Sequence, residues 1–390
     1  MASEPNVTVT CAAPSVSTLV IKNGIGAALL LLVACDYSSE KSTDSTDTSS
    51  IVSLHTELGG DARGYERACG PREFTFPQDH GAHREFRNEW WYITGNVKSE
   101  NTDLGFHVTF FRIANQPQPS DSESAWAASQ FYMGHFAVTA AGQQRVRAHE
   151  RFARAAAGLA GAERRDTETI VWLDDWTLTH TASGVWTLQV ADESEEINLK
   201  LTAEKPVVLQ GEAGYSRKSA DPCNASYYYS MPRLRAEGQI SVAGQSFDVS
   251  GSAWLDREWS SSALAADQVG WDWFALQLDD GRDIMFYQLR NSDGRADPHS
   301  HAVEIDQLGG RQAIPVPELK IDRWWRSPNG GNYPVAGRLL RTDTGEVIVF
   351  EPLIENQELL LTVRYWEGAI RLRDESGEPI GRGYLELTGY

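Results

Sequence analysis

The sequence predicts an all-β protein built as two consecutive antiparallel units. Three observations carry this. From Pro71 onward short alternating segments follow one another, divided by turn signals such as Asp279-Asp280-Gly281 and Gly309-Gly310. Helical periodicity is confined to one stretch, 148–160 (AHERFARAAAGLA), which is expected to form a helix ending at Gly158 or Gly161. Finally, 390 residues exceed what one core usually holds, so two units fit the length better than one.

Taken in order, the chain opens on a targeting signal. Lys22 precedes the apolar run 25–33 (IGAALLLLV), which is too short to span a bilayer as a mature helix. The run ends in Leu32-Val33-Ala34-Cys35, the pattern of a lipobox, so residues 1–35 are read as a lipoprotein signal with lipidation on Cys35. The protein is therefore expected in the cell envelope, anchored to a membrane and facing the periplasm. Asp36 resembles a signal for retention in the inner membrane. Residues 36–70, rich in Ser, Thr and Asp at their start, read as a flexible tether. Of the 4 cysteines, Cys69 and Cys223 remain for the folded part, either as a disulfide or as two thiols.

The expected strands are 89–97 (EWWYITGNV), 106–112 (FHVTFFR), 131–138 (FYMGHFAV) and 172–177 (WLDDWT), then 186–190, 198–203, 238–242 and 247–255. The Ser- and Ala-rich run 260–266 marks a boundary, giving domains 71–258 and 259–390. Many short strands at this spacing favour sandwiches or barrels.

A net charge of -19 disfavours nucleic acid and anionic membrane surfaces as partners. The 13 Trp residues suggest aromatic-lined cavities beside ordinary core. Within 251–260 (GSAWLDREWS), Trp254, Asp256 and Glu258 share one strand face, spaced about 6.6 Å apart. An indole beside two carboxyls raises a carboxyl pKa, which is how a general acid is made. The alternative is that Asp256 and Arg257 brace the junction through ion pairs. In Glu89-Trp90-Trp91-Tyr92 both faces are aromatic, so Glu89 needs a partner, with Arg84, Arg87 or Arg257 available. His107 and His135 lie in separate strands as candidate bases or hydrogen-bonded core residues. Tyr228, Trp271 and Trp273 complete the candidate ligand walls, aromatic faces that also stabilise a carbocation. His80/His83 and His299/His301 lack the flanking ligands of a zinc pattern, and neither a GxSxG elbow nor a Walker loop occurs. No metal and no cofactor are expected.

The segments EWWYITG, FHVTFFR, VWLDDW, KPVVLQGEAGYS, SYYYSMPR, AWLDREWSS, GWDWFALQLDDG, YWEGAI and GYLELTGY together resemble the lipocalin-like family that contains the carotenoid 1,2-hydratases (hydroxyneurosporene synthases) and a secreted branch labelled "predicted hydrolase". The resemblance covers residues 71–390. It implies two consecutive lipocalin-like antiparallel β-barrel domains and a hydrophobic isoprenoid or polyene ligand. In those hydratases an acidic residue protonates a terminal double bond and water captures the cation. The matching aspartate is Asp256, whereas Trp254 and Leu255 stand where the family has Tyr and His. The resemblance also implies, as a partner, the permease of an envelope ABC transporter.

Two functions follow. As an enzyme, the protein would hydrate or cyclise an apolar polyene, with Asp256 as acid, Glu258 tuning it or placing water, and Trp254, Trp91, Tyr92, Trp271 and Trp273 walling the cavity. As a carrier, it would bind or transfer a lipid through a barrel mouth, with both carboxylates locked in arginine pairs far from any cavity.

Overall fold

Residues 61–118, 122–166, 168–262 and 264–390 are described by a computed structural model; the lipobox, Cys35, Asp36 and most of the expected tether lie outside them. Period-two alternation dominates, and the sole helical turn among the described residues is a short one at Gln78–His80.

The first sheet has thirteen strands. It opens with β1 (Asn88–Ser99), β2 (Thr102–Ala114), β3 (Gln130–Ala140), β4 (Arg147–Arg154) and β5 (Ala160–Arg165). There follow β6 (Glu168–Leu173), β7 (Trp176–His180), β8 (Val185–Asp192) and β9 (Glu195–Ala203). The short β10 (Val208–Leu209) and β11 (Tyr215–Arg217) precede the long β12 (Ala225–Val242) and β13 (Gln245–Ser260). The path runs β4-β3-β2-β1-β13-β12-β9-β8-β7-β6-β5, so its edges β4 and β5 are consecutive in the chain. The sheet curls until Gly134 of β3 meets Leu173 and Trp176 from the far side; an added Cβ there would lie 2.8 Å from Leu173. Leu173, Trp176, Phe136, Trp91 and Ile93 fill the interior.

The second sheet has ten strands. They are β14 (Gln268–Leu278), β15 (Asp283–Asn291), β16 (His301–Ile305), β17 (Arg311–Ala313) and β18 (Glu318–Arg326), then β19 (Asn332–Leu340), β20 (Val347–Pro352), β21 (Glu358–Leu360), β22 (Arg364–Arg373) and β23 (Pro379–Leu387). It curls in the same way around Phe274, Phe286, Phe350 and Trp366. Two near-closed antiparallel sheets thus form two barrel-like domains, and the chain passes from one sheet to the other between Ser260 and Gln268.

Three local expectations need correction. The stretch 148–160 is not a helix: its first residues form the edge strand β4, and Ala157 (φ 51°) and Gly158 (φ 78°) turn the chain. Pairing with β3 outweighs its helical periodicity, since Arg151 can then reach Asp192 at 3.1 Å. Residues 172–177 are not one strand but the end of β6, a turn at Asp174-Asp175 with Asp174 at φ 53°, and the start of β7. The packed chain also reaches back into the expected tether: Tyr65 donates to the Ala114 carbonyl at 3.0 Å, Ala68 is buried, and Cys69 forms a disulfide with Cys223.

The sheets pack face to face. Gly105 of β2 lies so close to Ala369 of β22 that an added Cβ would sit 2.5 Å from the alanine methyl. Asp283 receives Lys205 and Arg233 at 2.6 Å each, and Gln277 donates to the carbonyls of Pro232 and Ala253.

Candidate active site between the two sheets

Alternation along each strand decides which side chains face the seam. On β1, Trp91 and Ile93 enter the first barrel's core, so Trp90 and Tyr92 must face the second sheet. Register then extends the pattern in rows. Phe111, Trp90, Glu258 and Tyr228 lie side by side, and beneath them Thr109, Tyr92, Asp256 and Ser230. A third row carries His107, Thr94 and Trp254. From the second sheet Tyr287, Trp273, Glu386 and Glu367 make the facing row, with Trp271 and Leu289 beside it. Between these surfaces lies a cavity of about 1040 Å³, counting the part open to solvent. It is a seam between domains, not the mouth of either barrel, because both barrel interiors are filled by their own cores.

Asp256 is buried in this cavity and makes no ion pair among the described residues. Its Oδ1 accepts from Trp254 Nε1 at 2.7 Å and Ser230 Oγ at 2.5 Å, and its Oδ2 from Tyr228 OH at 2.6 Å. Trp273 Nε1 donates to that same phenol oxygen at 3.2 Å, tying the group to the second sheet. Burial pushes the Asp256 carboxyl up to about 7; the donors from Ser230, Tyr228 and Trp254 oppose this, and the charge of Glu258 adds to it. Glu258 receives Ser226 Oγ and pairs with Lys218 Nζ at 3.1 Å. The Lys218 ammonium lies 4.3 Å over the Tyr287 ring.

The opposite wall is also acidic. Glu386 accepts one bond, from Trp271 Nε1 at 3.2 Å. Burial pushes its carboxyl up to about 8; the Trp271 N–H opposes this, while Asp256 and Glu258 add to it. Its neighbour Glu367 is fully buried, accepts Tyr92 OH at 2.7 Å, and leaves Oε2 without a partner. Burial and the Glu386 charge hold Glu367 well above the usual carboxylate range.

Among the residues singled out in the sequence, Asp256, Glu258, Tyr92, His107, Tyr228, Trp271 and Trp273 line the cavity. Trp254 stands behind them as a donor to Asp256. His107 lines it with Nε2 on Thr109 Oγ1 at 2.6 Å and Nδ1 unpartnered; burial, with His135 adding, holds its pKa well below the ordinary value. Two candidates lie elsewhere. Trp91 points into the first barrel, under the Arg257 guanidinium at 3.9 Å, because it sits one residue out of phase with Trp90 and Tyr92. His135 is buried behind the wall, bonded to Tyr365 OH at 2.7 Å and Glu150 at 3.1 Å.

Glu386, Glu367, Lys218 and Ser230 were not singled out. The signals were there: Glu367 and Glu386 are lone acids in the apolar segments YWEGAI and GYLELTGY. The paired histidines serve local structure, His83 bridging Asp79 and Glu89 and His299 bonding Asp297 at 2.8 Å. His149, Glu193 and Glu195 bring ligand atoms within 4.8 Å of one another, but share no residue with the cavity.

The sequence pattern of the AttH-like family matches residues 67–390. A crystal structure of a Nitrosomonas europaea protein assigned as AttH is similar at 36% identity and a TM-score of 0.75, covering 83% of this chain and 99% of its own. Kievitone hydratase from Nectria haematococca is similar at 14% identity and a TM-score of 0.60, covering 83% of this chain and 95% of its own. At that identity the likeness shows a shared lipocalin-like fold. No curated protein sequence matches. The match over residues 67–390, together with the Nitrosomonas relative, shows that this chain belongs to the AttH-like family.

Proposed function

We propose that the protein is a hydratase that adds water across a carbon–carbon double bond of an apolar isoprenoid or polyene lipid, in the manner of the carotenoid 1,2-hydratases. The observation that carries this reading is Asp256: a carboxyl with no cationic partner among the described residues, walled by indoles and phenols and pushed by burial up to about 7. Hydration of an unactivated alkene needs a proton moved to carbon, a site that tolerates the cation, and water. Asp256 exchanges the proton. The faces of Trp271, Trp273 and Trp90 attract the cation, and Glu258, held by Ser226 and Lys218, is placed to orient water. Carriage of a lipid without chemistry predicts both carboxylates in arginine pairs; among the described residues Asp256 has no such pair, which supports catalysis.

The proposal extends to place and partner. A lipid on Cys35 would hold the seam cavity near a bilayer, in the inner membrane if Asp36 acts as the retention signal, where an ABC-transporter permease could supply or receive the ligand. Metabolic labelling with palmitate, lost in Cys35→Ser, tests the anchor. For the chemistry, the protein from residue 61 onward is isolated from its host and its co-purifying lipids are identified by mass spectrometry. After incubation in H₂¹⁸O, a lipid heavier by one labelled water supports hydration. An unmodified bound lipid would reject it in favour of carriage.

A further inference from the structure

We propose that Glu386 is a second catalytic carboxyl group, facing Asp256 across the seam, and that it donates the proton to carbon while Asp256 takes the proton from water. The inference rests on the hydratase reading. Its geometry follows from two hydrogen bonds that cross between the sheets. Tyr228 on β12 is joined to Trp273 on β14, and Tyr92 on β1 to Glu367 on β22. Between β12 and β1 in the first sheet lies β13, where Asp256 is the register partner of Tyr92. Between β14 and β22 in the second lies β23, where Glu386 is the partner of both Trp273 and Glu367. The two crossings therefore bracket the pair, and both carboxyls line the same cavity.

The division of labour follows from their partners. Asp256 accepts three donors, one of them an indole N–H that can only donate, which suits a carboxylate. Glu386 accepts one, from Trp271. It is faced by Asp256 and Glu258 from β13 and by Tyr92 from β1, and is flanked in its own sheet by Glu367 and Tyr365. Lys218 is engaged with Glu258. Negative neighbours with no cation of its own suit a protonated acid. In the reaction the Glu386 O–H bond breaks and its proton joins the π pair to form C–H. Water oxygen then bonds the resulting cation, and its proton passes to Asp256. Proton exchange with solvent restores both carboxyls, and the net change is addition of one water.

Two measurements test this. In ¹³C NMR of the protein labelled at Asp and Glu carboxyls, Asp256→Asn should lower the titration midpoint of Glu386, because the facing negative charge disappears; an unchanged midpoint would overturn the pairing. For turnover, the probe is farnesol in H₂¹⁸O, read as labelled tertiary alcohol. Glu386→Gln should lose at least 100-fold in rate, and the residual activity should lose its alkaline limb. Asp256→Asn should lose the acidic limb instead. Wild-type activity that persists unchanged in Glu386→Gln overturns the inference and leaves the hydratase reading standing. A wild type inactive on farnesol counts against the hydratase reading, while the NMR titration still decides the pairing.

Discussion

Glu89 and Asp256 lie on neighbouring strands of one sheet, three register steps apart, and face opposite ways. Both are buried carboxyls. Glu89 points into the first barrel and meets Arg112 Nε at 2.8 Å, Arg257 at 2.7 Å and His83 Nδ1 at 2.8 Å. Burial raises its pKa, but Arg257 and Arg112 overcome that and hold it well below the usual carboxylate range. Asp256 points into the seam, meets only neutral donors, and is pushed up instead. Burial is common to both. What separates a structural carboxylate from one able to exchange protons near neutrality is whether a cation accompanies it.

Removing the cation's counterpart should give the largest effect. Glu89→Ala strands two buried guanidinium groups and should cost about 3–5 kcal/mol of stability in denaturant titration; a loss under about 1 kcal/mol would break the contrast. Asp256→Asn should do the reverse, lowering turnover by roughly 10²–10⁴-fold while the unfolding midpoint stays near that of the wild type. Full turnover in this variant would remove Asp256 from the chemistry.

A gentler test is pH. Asp256 and Glu386 have folded pKa values of about 7 and about 8, above their ordinary 3.8 and 4.5. Their stabilising contribution is therefore fully present below about pH 4 and is lost as pH rises through 7 and 8, by up to about 1.4 kcal/mol per pH unit for each group. Glu89, held low, contributes stability that is present above the ordinary value and lost as pH falls toward its folded pKa. The thermal midpoint should thus decline from about pH 5 to pH 8, and less steeply up to pH 7 in Asp256→Asn. An equal slope in both proteins would contradict the assignment. The smallest effect is expected from Trp254→Phe, which removes one donor and should raise the Asp256 midpoint by about 0.5–1 unit. Trp91→Phe, on the barrel side, should leave that midpoint unchanged.

The all-β class was legible because alternation is local: Trp254, Asp256 and Glu258 share a face in any strand, and they do so here. The same rule, carried to Glu89–Tyr92, separates Trp91 from its neighbours, yet it does not say which face meets a cavity. That choice depends on the second sheet, whose approach at Gly105 and Ala369 has no local signature. Glu386 escaped notice for the same reason. It lies 130 positions after Asp256, and only pairing of β14 with β23 and of β1 with β13 brings the two to one seam. The partner of Glu89 was half visible: Arg257 was among the candidates, whereas Arg112 is brought in by the pairing of β1 with β2. The helix expected at 148–160 failed because residues 147–154 pair with β3 as an edge strand, a long-range contact that local periodicity does not reveal.

The crossings that bracket the cavity, Tyr228 to Trp273 and Tyr92 to Glu367, each have one end in either barrel. Neither barrel owns the site. A shortened homologue, a gene fusion or an engineered swap that keeps one barrel intact would inherit only half of the side chains that line the cavity. The cavity exists only while the two halves are bound to each other.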